Sequence, residues 1–502
     1  MHAPLLIDLP SAELGRDERE LLQHPGVAGV CLFRRNLRGV QQGREFVEAI
    51  LEAAGRPLIV AIDQEGGGVV RLDEVSAPPS PMALGAADDT ELSERVALAC
   101  ARGVRRIGVN VDFAPVADVQ SNPANPVIGD RAFGADPHHV ARHVAAFVRG
   151  LQAGGVAATL KHFPGHGDVS VDSHLALPRL DADQARLSTL EWPPFEAGIA
   201  VGAAAVMSGH LLVPALDAEH PATLSRATLE GVLRGALGFE GVLFSDALDM
   251  RAIAERYGVA EGAVLALAAG IDVPVVANRS PAEHHEVLAA LERASVEGRI
   301  DPDRLRAANA RVAALLHAYP NGAHEPCTDA LTRDAAAEDE AARRAITAVG
   351  APPRLTPGGG PLALFGRRAA AQVAASDAAR PVAALHDALR ARGFDVRWVD
   401  DAADLDGALS DAQALLVATS EGTPLDAAAA ERYRAASARA RAAGVAVLHL
   451  ALRNPAHARV LDAPALLSYG ARPSSLAALC DALKGAPTTG VAPVPIGAAG
   501  SA

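Results

Sequence analysis

The sequence predicts an α/β protein: a (β/α)8 TIM-like barrel followed by a smaller αβα sandwich domain. Three observations carry that reading. Eight short apolar runs in roughly the first 320 residues end in polar or Gly-rich turns and alternate with longer helical stretches, the pattern of repeated βα units that close a parallel barrel. Half of the 502 residues are hydrophobic but only 3% are aromatic, so the apolar mass is mainly Ala, Val and Leu, which suits helices packed on buried strands. A Pro/Gly cluster, APPRLTPGGGP from Ala351 to Pro361, then separates this region from a second, shorter βα pattern.

The eight predicted strands fall near Leu5 to Leu9, Gly29 to Phe33, Leu58 to Asp63, Gly108 to Phe113, Ala157 to His162, Ala204 to Ser208, Gly241 to Ser245 and Ile271 to Val275. A doubly wound sheet is the alternative arrangement of the same units. One intervening helix is explicit from Pro137 to Leu151: Asp136 can cap it, Pro137 occupies its first turn, and Gly154-Gly155 ends the unit. The barrel is assigned to residues 1–325. Residues 326–360 form a connector with an Ala/Glu/Arg helix from about Asp329 to Thr347 and the Pro/Gly linker.

Residues 361–486 form the sandwich, with strands at Leu362 to Phe365, Val396 to Val399, Ala414 to Ala418, Val445 to Leu450 and Ala465 to Ser468, and a helix from Leu425 to Ala443. The Gly/Ala/Pro-rich end, residues 487–502, reads as a disordered tail.

With 46 basic against 60 acidic residues the net charge is −14, the wrong sign for tracking a phosphate backbone, so nucleic acid is excluded as a partner. Cys31, Cys100, Cys327 and Cys480 show neither CxxC nor ladder spacing, which indicates reduced structural thiols. The N-terminal MHAPLLIDLPSAELGRDERE has no basic, then apolar, leader pattern, and no apolar run approaches the roughly 18 residues that span a bilayer. The expectation is a soluble, cytoplasmic protein.

A barrel active site is built from the C-terminal ends of its strands, so the polar residues that follow each apolar run are the candidates. The third run leads into DQEGGGVVRL, with Asp63, Glu65 and Arg71, and the fourth into NVDFAPVADV, with Asp112 and Asp118, then IGDRAFG with Arg131. The fifth opens KHFPGHGDVSVDSH, with Lys161, His162, His166, Asp168, Asp172 and His174. The sixth gives His210 in MSGHLL, and the seventh gives Asp246 and Asp249 in FSDALDM.

Pro164, Gly165 and Gly167 make the segment from Phe163 to Leu177 a loop. Asp172 and His174 are two apart, so in an extended stretch they share a side, and a carboxylate beside an imidazole fixes its tautomer and stabilises its charged form. That pair reads as an acid/base dyad, or alternatively as a pin for the loop. Asp246 ends an apolar run and precedes a helix. It reads as a nucleophile projecting into the barrel mouth, or alternatively as the N-cap of that helix, a role that suits Asp249 better.

These motifs resemble family three of the glycoside hydrolases, and within it the β-N-acetylglucosaminidases of peptidoglycan recycling. The resemblance runs from about Val27 to Leu316 through LFRRN, DQEGGGVVRL, NVDFAPVADV, IGDRAFG, KHFPGHGDVSVDSH, MSGHLLVPALD, PATLS and LRGALGFEGVLFSDALDM, an ordered and specific set. It implies a retaining β-N-acetylhexosaminidase that releases non-reducing-end N-acetylglucosamine from muropeptides or chitooligosaccharides. Asp246 is then the nucleophile and His174, supported by Asp172, the acid/base, while Asp63, Arg71, Arg131, Lys161 and His162 bind the terminal sugar. No cofactor and no catalytic metal are implied, and the partner is a small-molecule carbohydrate.

Relatives of the β-glucosidase type take their acid/base Glu from a second domain. Here the second domain offers only Glu421 and Glu431 between Pro361 and Gly485. One departure is Gly68, where the resemblance expects Arg in a GGRVxR pattern. The segments around Arg453 to Pro455 and Tyr469 look like the αβα sandwich of two-domain members.

Two rivals keep parts of this reading. A phosphorylase on the same fold would release the sugar to phosphate, which a neutral imidazole repels less than a carboxylate would. A metal-dependent barrel hydrolase could use His162, His166, His174 and His210, although HFPGH lacks the helical i, i+4 face of HExxH.

Overall fold

The computed structural model describes residues 2–367 and 380–496. Eight parallel strands close a barrel in chain order: β1 (Leu5–Asp8), β2 (Val27–Leu32), β3 (Ile59–Ile62), β4 (Val111–Asp112), β5 (Ala157–Phe163), β6 (Ala205–Ser208), β7 (Val242–Ala247) and β8 (Val273–Val275). The shortest, β4, ends three residues before Pro115, which has no N–H to give to a ladder.

Period-two alternation along each strand separates two apolar layers. Leu5, Ile7, Val30, Leu32, Val60, Ile62 and Leu243 pack outward under the helices. Leu6, Cys31, Ile59, Ala61, Phe113, Val242 and Phe244 fill the lumen, where the Phe113 and Phe244 rings meet edge to face at 5.3 Å. The same phase carried to the strand ends turns Asp63, Lys161 and Asp246 into the mouth above that plug. The helix Pro137–Ala153 forms as expected, with Asp136 accepting the backbone N–H of His139 at 2.7 Å.

The second unit is a six-stranded sheet in the order β11-β10-β12-β13-β14-β9. Its strands are β9 (Thr347–Val349), β10 (Leu362–Phe365), β11 (Val396–Val399), β12 (Ala414–Thr419), β13 (Ala446–Ala451) and β14 (Ala465–Leu467), all parallel except β9, which pairs antiparallel with β14. The connector thus supplies more than a helix and a linker. Its helix, Thr328–Ala345, ends two residues earlier than expected and hands the chain to an edge strand of the second sheet.

The Gly/Ala/Pro-rich end was expected to be disordered from residue 487, but through residue 496 it lies against the body. Gly490 N–H donates to Ile346, Val491 N–H to Ala86, and Ala135 N–H to Pro493, while Val494 and Ile496 pack on Met82 and Tyr469. Composition missed this because the stretch is held by backbone hydrogen bonds, which need no particular side chain. The remainder of the expected tail, 497–502, lies outside the described residues.

Polar contacts knit the two units beside the barrel mouth. Arg453 grips Asp130 with Nε to Oδ2 at 3.0 Å and Nη2 to Oδ1 at 2.7 Å, and both side chains are buried. Ser80 Oγ donates to the Tyr469 carbonyl, and Arg472 Nη1 to Asp73 at 3.3 Å. Gly68 sits in the turn closed by the Gly66–Val69 bridge and borders the crevice between the units with Asp130 and Arg453. All four cysteines are free thiols, and no helix among the described residues is long and apolar enough to cross a membrane.

Candidate active site

A cavity of about 530 Å³ opens at the C-terminal ends of the barrel strands. Asp63, Arg71, Arg131, Lys161, His162, His174 and Asp246 all line it. Asp172 does not line it and stands behind His174.

Asp246 is the penultimate residue of β7, and its Oδ1 accepts the N–H of Ala247 at 2.8 Å. The following helix starts at Arg251 with Met250 at its cap position, so Asp246 is not its N-cap. Burial works to raise the Asp246 pKa, but the surrounding imidazoles of His162, His210 and His174 outweigh it and hold the carboxyl below its ordinary value. Asp249 is not the cap either. It accepts from Ala277 N–H at 3.1 Å and Asn278 Nδ2 at 3.0 Å, tying the β7 end to the chain after β8.

The Asp172/His174 contact forms, but not through an extended strand. One carboxylate oxygen of Asp172 accepts both the backbone N–H of His174 at 2.8 Å and its Nδ1–H at 2.7 Å, and the Asp172 carbonyl accepts from Leu175 and Ala176. The segment is therefore an Asx-type turn, which the two-residue spacing fits equally well. Burial lowers the His174 pKa, yet Asp172 and Asp246 override it, so the imidazole is held above its ordinary value. With Nδ1 committed to Asp172, Nε2 is the atom left for chemistry.

The opposite wall is a chain of charges. Arg131 places Nε and Nη2 on the two oxygens of Glu65, each at 2.8 Å. Lys161 Nζ bridges Glu65 and Asp63, at 2.8 Å from the latter, and Arg71 Nη2 approaches Asp63 at 3.4 Å. Burial opposes charge on Glu65, but Arg131 and Lys161 dominate and hold it far below the carboxylate range.

His162 donates Nδ1–H to Asp118 at 2.7 Å and turns Nε2 to within 3.4 Å of Arg131. Asp118 is fully buried and also accepts the backbone N–H of His162 and, at 2.7 Å, that of His166. Glu65 and Asp118 were visible only as strand-end carboxylates in the sequence. Their roles as anchors of Arg131, Lys161 and His162 depend on contacts 44 to 96 residues apart, which no local pattern signals.

The other two histidines of these loops, His166 and His210, take different partners. His166 Nε2 meets Ser173 Oγ at 3.2 Å, and burial pushes its pKa down to about 4. His210 pairs Nδ1 with Thr223 at 2.8 Å and gives Nε2–H to the Ala247 carbonyl at 3.0 Å, bracing the residue next to Asp246. Neither Glu421 nor Glu431 of the second domain lines the cavity.

Comparison with known proteins agrees with this geometry. Residues 6–315 match the glycosyl hydrolase family 3 N-terminal domain. A beta-hexosaminidase of Stenotrophomonas maltophilia (strain K279a) is 44% identical over 281 residues, covering 54% of this chain and 82% of that protein. One from Xanthomonas oryzae pv. oryzae (strain KACC10331 / KXO85) is 42% identical over 307 residues, 59% of this chain and 87% of that protein. The solved structure of a glycoside hydrolase family 3 beta-N-acetylglucosaminidase from Paenibacillus sp. str. FPU-7 superposes with a TM-score of 0.90 at 33% identity, covering 98% of this chain and 97% of that one. The chain belongs to glycosyl hydrolase family 3.

Proposed function

We propose that the protein is a retaining β-N-acetylhexosaminidase that removes non-reducing-end N-acetylglucosamine from β-glycosides such as muropeptides or chitooligosaccharides. The observation that carries this reading is the opening of Asp246 and the Asp172-held His174 onto one cavity whose far wall is lined with hydroxyl-binding groups. The relatives named as beta-hexosaminidases, and the beta-N-acetylglucosaminidase with the same two-domain outline, support the substrate class.

In the first step the Asp246 carboxylate attacks the anomeric carbon while His174 Nε2–H protonates the departing glycosidic oxygen. The sugar is left as an ester of Asp246, with inverted configuration. In the second step the neutral His174 takes a proton from water, which attacks the same carbon and frees Asp246. Two inversions give net retention.

Arg131, Lys161 and Arg71 donate to sugar hydroxyls and Asp63 accepts from them, with His162 beside Arg131. Their mutual ion pairs keep the donors in place before substrate arrives, so little ordering remains to be done on binding.

The direct test is trapping with a 5-fluoro-N-acetylglucosaminyl fluoride followed by peptide mass mapping. The adduct is expected on Asp246, and an adduct on another carboxylate would remove it from the mechanism.

A further inference from the structure

Away from the catalytic cavity, Asp88, His139 and His143 bring together one carboxylate oxygen and one nitrogen of each imidazole, all within 4.8 Å of one another. Among the described residues no other group of His, Cys, Asp and Glu side chains converges in this way. His139 and His143 stand four apart on the helix Pro137–Ala153, hence on one face, and Asp88 faces them from the end of the helix Pro81–Ala87. Asp88 Oδ1 lies 3.4 Å from His139 Nδ1 and 3.9 Å from His143 Nε2. Ligands about 2.0–2.1 Å from a tetrahedral zinc stand roughly 3.3 Å apart, so the two Asp88 distances are close to those of a bound ion, and closing the group around one requires the side chains to draw together.

The second observation is the state of His143. Its side chain is fully buried, and among the described residues Nε2 has no hydrogen-bond partner. Ser93 Oγ stands 3.1 Å from the Asp89 carbonyl and 2.8 Å from His143 Nδ1. With the hydroxyl donating to the carbonyl, it accepts from His143 Nδ1–H, and this is the tautomer that leaves Nε2 a lone pair toward Asp88. The Ser93 contact then matches the outer hydrogen bond that orients metal-binding imidazoles.

Asp88 adds a further oddity. It is a carboxylate in the left-handed conformation (φ 47) at the carbonyl end of a helix, where negative charge is disfavoured. Arg142 Nη2 now stands 3.3 Å from His139 and 3.6 Å from Asp88, on a side chain more than half exposed that can swing clear.

We infer that Asp88, His139 and His143 form a binding site for a divalent transition-metal ion of the zinc class, completed by water. Bound there, the ion ties the helix that follows the Glu65 loop to the helix that follows the Arg131 loop. Its role is structural and separate from the sugar chemistry, because none of its ligands lines the catalytic cavity.

The test uses the full chain, stripped of metal with chelator and titrated with Co²⁺ and Zn²⁺. Expected are one equivalent bound in the micromolar range or tighter, a tetrahedral Co²⁺ absorption band displaced by Zn²⁺, and a rise in thermal midpoint with Zn²⁺. Asp88→Ala, at an exposed position, and His139→Gln, which keeps a polar side chain, are both expected to fold and retain turnover, and should weaken that binding by roughly 100-fold and abolish the thermal shift. Arg142→Ala should bind at least as tightly as wild type. Absence of stoichiometric binding, or equal binding by wild type and both ligand variants, overturns the assignment.

Discussion

Glu65 receives both prongs of the Arg131 guanidinium, each at 2.8 Å, and holds Lys161 on its other side, so one buried carboxylate positions two of the cations that face the cavity. Removing its charge leaves Arg131 buried without the carboxylate it grips and leaves Lys161 with Asp63 alone. Glu65→Gln is expected to cost about 3–5 kcal/mol of stability and to raise KM. Because the Glu65 pKa is depressed on folding, its contribution is complete above the ordinary glutamate range and fades as pH falls, so the variant should lose stability at neutral pH and show a flatter acid limb. Denaturant melts at pH 7 and pH 4 check this; wild-type stability at pH 7 would contradict it.

Asp246→Asn should fold normally, since the hydrogen bond that Asp246 accepts from Ala247 N–H can be kept by the amide oxygen. Turnover should drop roughly 10⁴-fold or more, as when a covalent nucleophile is lost. Steady-state kinetics with an aryl N-acetylglucosaminide measure it, and near-normal turnover would exclude Asp246.

His174→Ala separates acid catalysis from positioning. Substrates with poor leaving groups should slow by about 10²–10⁴-fold, while activated aryl glycosides slow far less in the glycosylation step. A series of aryl leaving groups of graded pKa reads this as a steeper dependence in the variant. An unchanged slope would assign His174 to positioning alone.

The pH profile follows from the two shifts. Asp246 must be ionised and its pKa is depressed, so the acid limb lies below the ordinary aspartate range; His174 must be protonated and its pKa is raised, so activity is lost only as pH rises through that elevated value. Asp172→Asn removes one of the two carboxylates that raise it, the one bonded to Nδ1, and the alkaline limb of kcat/KM should move to lower pH. A limb that stays put would show that Asp172 does not set the His174 pKa.

Water as the acceptor predicts free N-acetylglucosamine as the product whether or not phosphate is present. Chromatography of products formed with 50-fold different phosphate concentrations, about 1 and 50 mM, decides the point. Accumulation of the sugar 1-phosphate would instead make the enzyme a phosphorylase.

Most of the frame was legible because it is local. All eight barrel strands sit on the predicted apolar runs, and the period-two phase that sends Val242 and Phe244 into the lumen also sends Asp246 there. What escaped depends on distance or on backbone alone. The pairing of Arg131 with Glu65 joins loops 66 residues apart, and that of Arg453 with Asp130 crosses 323. Asp172 and His174 were paired correctly for the wrong local reason, because an Asx turn and an extended stretch both bring residues i and i+2 together. The strand β9 was invisible within a segment whose composition continued the helix before it, and the hydrogen-bonded stretch through residue 496 has a loop's composition.

Asp130 and Arg131 are consecutive residues in the short turn Gly129–Arg131, yet one is clamped by the second domain and the other reaches into the sugar cavity. The buried clamp on Asp130 therefore fixes the backbone from which Arg131 reaches Glu65, so a domain with no residue among those lining the cavity still anchors its sugar-binding wall.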